Sequence, residues 1–305
     1  MSSNLRLLRT TQELRQWRVQ HLLNSKSVGF VPTMGALHQG HLKLVEQSLK
    51  HSDSTIVSIF VNPAQFAPHE DLDTYPRTLD QDIKQLQRIS NDITLFTPQV
   101  SQMYPSGIEQ DTSRQVGAFV HLPGLGNKME GLSRPHFFAG VATVVTKLFN
   151  IVQPDHAYFG QKDIQQALIL RRMCKDLLVQ YPTTDNLRIV PTARDPDTNL
   201  ALSSRNAYLS EQQRSELAPL LYKALQSGRQ AYEDGKRSRE EILHATSSYT
   251  TQAQEKGARI DYMQLNDAFT FDVVDEVGAE GAVLSAAMYV GSTRLIDNVL
   301  LGMRV

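Results

Sequence analysis

Two imidazoles, His38 and His41, stand three residues apart around Gly40 in the stretch FVPTMGALHQGHLKLV. Side chains at that spacing share one side of a helix's first turn, so both rings can face one ligand. Free backbone amides and the helix dipole favour an anion at a helix start. Gly40, lacking a side chain, would let phosphates come close to the backbone there. The chemistry within reach is stabilisation of phosphate charge. Taken alone, His-x-Gly-His reads as readily as two surface histidines at a helix start. Zinc is the poorer reading, because no third ligand has suitable spacing.

Two further stretches offer related chemistry. YFGQKDIQQ, residues 158–166, sets Gly160, Lys162 and Asp163 between a strand end and a helix start. Lys162 would supply a point charge for phosphate, although by itself it reads as a solvated cap residue. ALSSRNAYLS places Ser203, Ser204 and Arg205 in succession after a polar loop. Two hydroxyls and a guanidinium can wrap a polyphosphate through short charged hydrogen bonds. Alone, that segment reads as a helix-entry loop.

The elements that must position these groups are legible as apolar patterns. Runs rich in β-branched residues predict strands over residues 28–32, 55–61, 93–96, 156–159 and 187–190. Helical periods fall between them, over residues 40–49 and 164–178 and around Leu79, Ile83 and Leu86. Val141, Val144, Val145, Leu148, Phe149 and Val152 form an apolar stripe of clean helical spacing. Such alternation predicts an α/β fold, a Rossmann-like parallel sheet with helices on both faces. The histidine and lysine loops then emerge from the carboxyl ends of strands, where open α/β sheets bind ligands. After Thr192 the pattern changes to helices over residues 211–227 and 239–255, then strands over 260–265, 283–290 and 294–300. That order predicts a smaller α+β domain, with domains at residues 1–192 and 193–305.

Lys and Arg number 31 against 32 Asp and Glu, so no whole-molecule field draws in nucleic acid or an anionic membrane. An anionic substrate must be met by local groups. The single cysteine, Cys174, excludes an intrachain disulfide and a cysteine-rich zinc site. It lies in an apolar row with Ala167, Leu170 and Leu178 and reads as a buried structural thiol. The first residues, MSSNLRLLRTTQELRQWR, contain no long apolar run, which predicts a cytosolic protein without a leader or membrane anchor.

A strand-end HxGH joined to a distal serine-rich basic loop resembles the nucleotidylyltransferase superfamily, in which an α-phosphate is attacked and pyrophosphate leaves. The resemblance then narrows. PTMGALHQGH, SIFVNPAQF, DLDTYPRTLDQD, GVATVV, FGQKDIQQ, LALSSRN and TRLIDN are similar, in the same order, to the successive blocks of the pantothenate synthetase family. They span residues 31–298, nearly the whole chain.

The resemblance implies ATP-dependent joining of pantoate and β-alanine through an adenylate, with magnesium, in a homodimer. It also implies a smaller C-terminal domain that acts as a lid. Met34, Gly35, His38, Gly40 and His41 would line the ATP site, with both histidines on the phosphates and His41 catalytic. Gly160, Lys162 and Asp163 would contact ATP, Lys162 as its phosphate ligand, and Leu202, Ser203, Ser204 and Arg205 would close over the triphosphate. Gln65 and Gln166 would hold pantoate, with Asn62 in the same block and the β-alanine site beside Gln65.

Three departures bear on this. Phe137 stands where the family often has a histidine, with His136 one residue earlier, and neither is assigned a catalytic role. The loop over residues 194–202 is one residue longer than usual and has Asp197-Thr198-Asn199 in place of Asp-Gly, which changes the expected lid mobility. Gln81 replaces an acidic residue, leaving Asp82 as the candidate near the metal. Two other functions compete: a nucleotidylyltransferase without an amine step, and a nucleotide-binding regulatory module that lost catalysis. The VNPAQF and DIQQ blocks weigh against the first, and the retained His38, His41, Lys162, Ser203, Ser204 and Arg205 against the second.

Overall fold

The structure, a computed structural model, describes residues 5–67, 72–109 and 114–303. Asp71, which opens the DLDTYPRTLDQD block, lies outside the described residues. The chain forms two compact units, Met1–Gly160 with Gln165–Val190, and Gln161–Ile164 with Pro191–Val305. No sequence pattern announced that Gln161–Ile164 would belong with the second unit.

The first unit runs β1 (Arg6–Leu8), α1 (Thr11–Leu23), β2 (Val28–Thr33), α2 (Gln39–His51), β3 (Ser54–Ile59), α3 (Leu79–Ile89) and β4 (Ile93–Phe96). It continues through short helices α4 (Val100–Met103) and α5 (Glu130–Ser133), then α6 (Phe137–Val152), β5 (His156–Gly160), α7 (Ile164–Asp176) and β6 (Leu187–Val190). The six strands form one sheet in the order β1-β4-β3-β2-β5-β6, with every pair parallel.

Alternation along the strands sorts the side chains between two faces. Val31, Val57 and Leu95 lie in register and pack with Leu42, Val45 and Leu86 of α2 and α3. Their neighbour Phe30 faces the other way and meets Phe149 of α6 edge-on, ring centroids 6.4 Å apart. β2 and β3 are therefore buried on both faces, as expected for central parallel strands.

The second unit holds α8 (Pro219–Glu233), α9 (Arg239–Glu255) and an antiparallel sheet of β7 (Ala258–Asp267), β8 (Ala282–Val290) and β9 (Thr293–Leu301) in sequence order. Leu221, Leu225, Ile242, Leu284, Met288 and Val299 share its core.

Several predicted elements differ in detail. β1 and α1 went unread, although Thr10 and Glu13 form a reciprocal N-terminal cap and Leu14, Trp17 and Arg18 give the helix a buried side. β3 stops at Ile59 rather than residue 61, because the chain turns into a 3₁₀ turn, Pro63–Gln65, capped by Asn62. The helix expected over residues 211–227 is replaced by a π turn, Gln213–Leu217, followed by α8. Pro219 has no N–H and its ring crowds the preceding turn, so the backbone widens upstream, with Ala218 N–H reaching Gln213 O at 2.8 Å.

Candidate active site

β3, β2 and β5 are neighbours in a parallel sheet, so the segments that follow them leave one edge. The β2 segment turns at Gly35 and Ala36, both at positive φ (87° and 51°). Ala36 seldom adopts that conformation, and the turn is held from below by Asp82. The Asp82 carboxylate accepts from Ala36 N–H (3.1 Å), Leu37 N–H (2.8 Å) and the Thr78 hydroxyl (3.3 Å). Its residue is only 1% exposed. Both oxygens of Asp82, the residue expected near the metal, are thus engaged in holding the turn. Among the described residues no group of three His, Cys, Asp or Glu side chains could hold a metal ion.

His38 is the N-cap of α2. Its Nδ1 accepts from Gly40 N–H at 3.1 Å, and His41 Nδ1 accepts from His38 N–H at 3.4 Å. A ring nitrogen that accepts carries no proton, so both imidazoles hold theirs on Nε2. The rings lie 4.1 Å apart between centroids, inclined by 38°. Gly40 also serves the cap. A Cβ there would lie 2.7 Å from His38 Cε1 and 2.9 Å from Nδ1, so the missing side chain makes room for the capping imidazole. Met34, between β2 and this turn, is half-buried.

After β3, Asn62 is 1% exposed and its carboxamide is fully engaged within the chain. Oδ1 accepts from the Tyr104 hydroxyl (2.7 Å) and Ala64 N–H (3.4 Å), while Nδ2 donates to Gly140 O (3.2 Å) and Gln65 Oε1 (3.1 Å). Asn62, expected in the pantoate block, thus holds Gln65 through its carboxamide. Gln65 is half-buried, and its NH2 has no partner among the described residues. Gln166, at the start of α7, is also half-buried and its carboxamide bonds to nothing among the described residues. Gln165 beside it is buried, receiving Glu130 N–H and donating to Lys128 O.

Phe137, in the place of the usual histidine, opens α6 under the Arg134 guanidinium, 3.9 Å from ring centroid to Cζ. Arg134 in turn donates to Gln65 O at 3.2 Å. The aromatic side chain keeps a platform for that arginine, and His136 is exposed.

In the second unit, Lys162 and Asp163 lie in a 3₁₀ turn and pair at 3.5 Å. Asn298 fixes the turn: Nδ2 donates to Gln161 O (2.9 Å) and Lys162 O (3.0 Å), and Oδ1 accepts from Gln161 Nε2 (3.3 Å). Its neighbour Asp297 takes two bonds from Arg194, whose guanidinium lies 3.4 Å from the Tyr222 ring centroid. The longer loop is pinned as well. Asp195 Oδ1 accepts from Asp197 N–H, Thr198 N–H and the Thr198 hydroxyl, and Asn199 turns the chain at φ 61°. Leu202 N–H donates to Ala193 O, and Ser203 caps the turn Ser204–Tyr208 by accepting Arg205 N–H at 3.3 Å. The Ser204 hydroxyl and Arg205 guanidinium bond to nothing among the described residues and are exposed.

Sequence reasoning missed Tyr104, Arg134, Arg194, Asp297 and Asn298. The TRLIDN block marked the last two without a role. Tyr104 stands in a short polar stretch with no periodicity, and only a partner 42 residues away gives it meaning.

Comparison with known proteins follows the same lines. The family profile described as Pantoate-beta-alanine ligase matches residues 6–300. A pantoate–beta-alanine ligase of Saccharomyces cerevisiae is 44% identical over 97% of this chain and 100% of its own length. A pantothenate synthetase of Chloroflexus aurantiacus is 45% identical over 97% of this chain and 98% of its own. The crystal structure of pantothenate synthetase from Thermus thermophilus superposes with a TM-score of 0.84 at 40% identity, covering 98% of this chain and 100% of that one. A pantoate-beta-alanine ligase from Francisella tularensis, complexed with beta-gamma ATP and beta-alanine, gives 0.73 at 32% identity, covering 98% and 99%. With a profile matched from the first strand to the last and relatives alike along their whole length, the chain belongs to the pantoate-beta-alanine ligase family, whose members are ligases forming a C–N bond.

Proposed function

We propose that this ligase joins pantoate to β-alanine in two steps, through a bound pantoyl adenylate. In the first, a pantoate carboxylate oxygen bonds to the α-phosphorus of ATP, and the bond from that phosphorus to the bridging oxygen breaks, so pyrophosphate leaves. In the second, the deprotonated β-alanine amine bonds to the acyl carbon, the C–O bond to AMP breaks, and the amine gives up a proton. One observation carries the reading. Both imidazoles accept backbone N–H groups through Nδ1, which sets the N–H donor of each ring on Nε2 at the start of α2. Two preset donors with a helix dipole behind them suit charge that grows on a departing pyrophosphate.

Gln65 and Gln166 suit pantoate, being half-buried carboxamides with bonding capacity unused by the chain. Lys162, Ser203, Ser204 and Arg205, with Gly160 and Asp163 alongside, are read as ATP groups by their family positions. Magnesium enters this reading as part of the Mg–ATP substrate, held by phosphate oxygens and water, because the described residues supply no ligand cage. The homodimer rests on resemblance, and sedimentation of the purified protein tests it. No helix among the described residues is long and apolar enough to cross a membrane.

The test supplies pantoate, β-alanine and Mg–ATP and quantifies both AMP and ADP. Equal amounts of AMP and amide are expected, and labelled pyrophosphate should exchange into ATP when pantoate is present without β-alanine. Formation of ADP and phosphate, or of a stable nucleotide conjugate, would overturn the reading.

A further inference from the structure

Two backbone groups fix the polarity of the Gln65 carboxamide. Ala64 N–H can only donate and lies 3.4 Å from Asn62 Oδ1; the Gly140 carbonyl can only accept and lies 3.2 Å from Asn62 Nδ2. Asn62 therefore cannot be turned over. Its oxygen faces Ala64 and Tyr104, and its NH2 faces Gly140 and Gln65. α6 approaches the turn closely enough for this because residue 140 is glycine: a Cβ would lie 2.7 Å from Gln65 N and collide with the Ala64 carbonyl.

Tyr104 completes the arrangement. With Oδ1 an acceptor, the phenol 2.7 Å away must donate. Burial raises the phenol above its ordinary range, only partly countered by the bond to Asn62, so it remains a donor. Lys147 holds the ring in place, with Nζ 3.8 Å from the ring centroid and bonded to Met103 O at 2.8 Å. The remaining N–H of Asn62 meets Gln65 at 3.1 Å and admits only an acceptor, which is Oε1. Oε1 is thereby turned toward Asn62, which leaves the Gln65 NH2 as the end of the carboxamide with no partner among the described residues.

We infer that Tyr104 and Asn62 are positioning residues that fix which way the Gln65 carboxamide faces and so present its NH2 to the ligand, selecting an acid that offers that NH2 an oxygen acceptor. This deepens the proposed function and rests on its assignment of Gln65 to pantoate. Tyr104→Phe keeps the ring and removes the shortest of the bonds that hold Asn62, leaving its Oδ1 only the 3.4 Å bond from Ala64 N–H. Asn62→Asp goes further, placing an acceptor against Gln65 so that its amide turns its oxygen outward.

The test is calorimetry of pantoate and of ATP with Tyr104→Phe, Gln65→Ala and the double variant. Tyr104→Phe should weaken pantoate binding about tenfold, the effect of one hydrogen bond, and leave ATP affinity unchanged. In the Gln65→Ala background the same substitution should add no further loss. An unchanged pantoate affinity in Tyr104→Phe, or an equal loss with and without Gln65, overturns the inference. If Gln65→Ala alone leaves pantoate binding intact, the underlying assignment falls and the inference with it. Should Tyr104→Phe fail to fold, the side-chain amide signals of Gln65 in the unaltered protein decide. Both protons must shift on adding pantoate, and unmoved signals overturn the inference.

Discussion

Asp297 takes both bonds it receives from Arg194 through separate oxygens, at 2.6 Å and 2.9 Å, with the two side chains only 4% and 14% exposed. Parallel contacts of this kind fix orientation as well as distance. The next residue, Asn298, carries that orientation to the backbone of Gln161 and Lys162. Asp297 N-terminal to it also accepts Asn298 N–H at 2.8 Å. Asp297→Ala removes the carboxylate from a half-buried guanidinium, which keeps Asn199 O and the Tyr222 ring, and should cost about 3 kcal/mol of stability. Denaturant unfolding of the two proteins measures this, and a loss well below 1 kcal/mol would show that the pair contributes little.

His41→Ala should abolish most adenylate formation while still converting supplied pantoyl adenylate and β-alanine to product. Removing one preset donor costs on the order of 3 kcal/mol, roughly a hundredfold in turnover. The second step breaks no P–O bond and should depend less on the ring. A variant that makes adenylate at the normal rate and stalls only at amide formation would contradict this role.

His38→Ala should be milder in chemistry but should also loosen α2, because His38 caps that helix. A lost N-cap costs about 1 kcal/mol, so the melting temperature should fall as well as the rate. Rate loss without any change in stability would argue against the capping role.

Asp82→Asn distinguishes a structural carboxylate from a metal ligand. The amide can replace only part of the set of acceptors under Ala36, Leu37 and Thr78, so the histidine turn should shift and turnover should drop. The magnesium concentration giving half-maximal rate should stay where it was. A large rise in that concentration would support the metal assignment.

Cys174 is buried, and burial pushes its thiol up to about 12. The thiolate is the reactive form, so at pH 8 the folded protein should resist a thiol reagent while the urea-unfolded chain reacts fast. Rapid labelling of the folded protein by a disulfide reagent would contradict that burial.

How far the sequence reached depended on whether a residue's meaning was local. His38 and His41 declare themselves because a turn of helix spans their spacing, and the helix expected over residues 239–255 is found at Arg239–Glu255 because its period is local too. Asn62 and Asp82 show the opposite case. A short polar side chain next to a candidate site looks like a ligand until its burial and its distant donors are known. Arg194 and Asp297 are 103 positions apart, and no periodicity links them. Pro219 was a local signal that could have been used, since a proline inside a helical pattern marks where the helix must restart.

The segment Gln161–Ile164 is flanked by β5 and α7 of the first unit yet belongs to the second. The polypeptide therefore passes between the units three times, and no single cut separates them. A fragment ending at Val190 retains all six strands of the parallel sheet but loses Asn298, the partner of the Gln161 and Lys162 carbonyls. A fragment beginning at Pro191 retains Asn298 and has no lysine turn to hold. Domain exchange between relatives thus carries a hidden requirement: whoever supplies the last strand must also supply the four residues after β5.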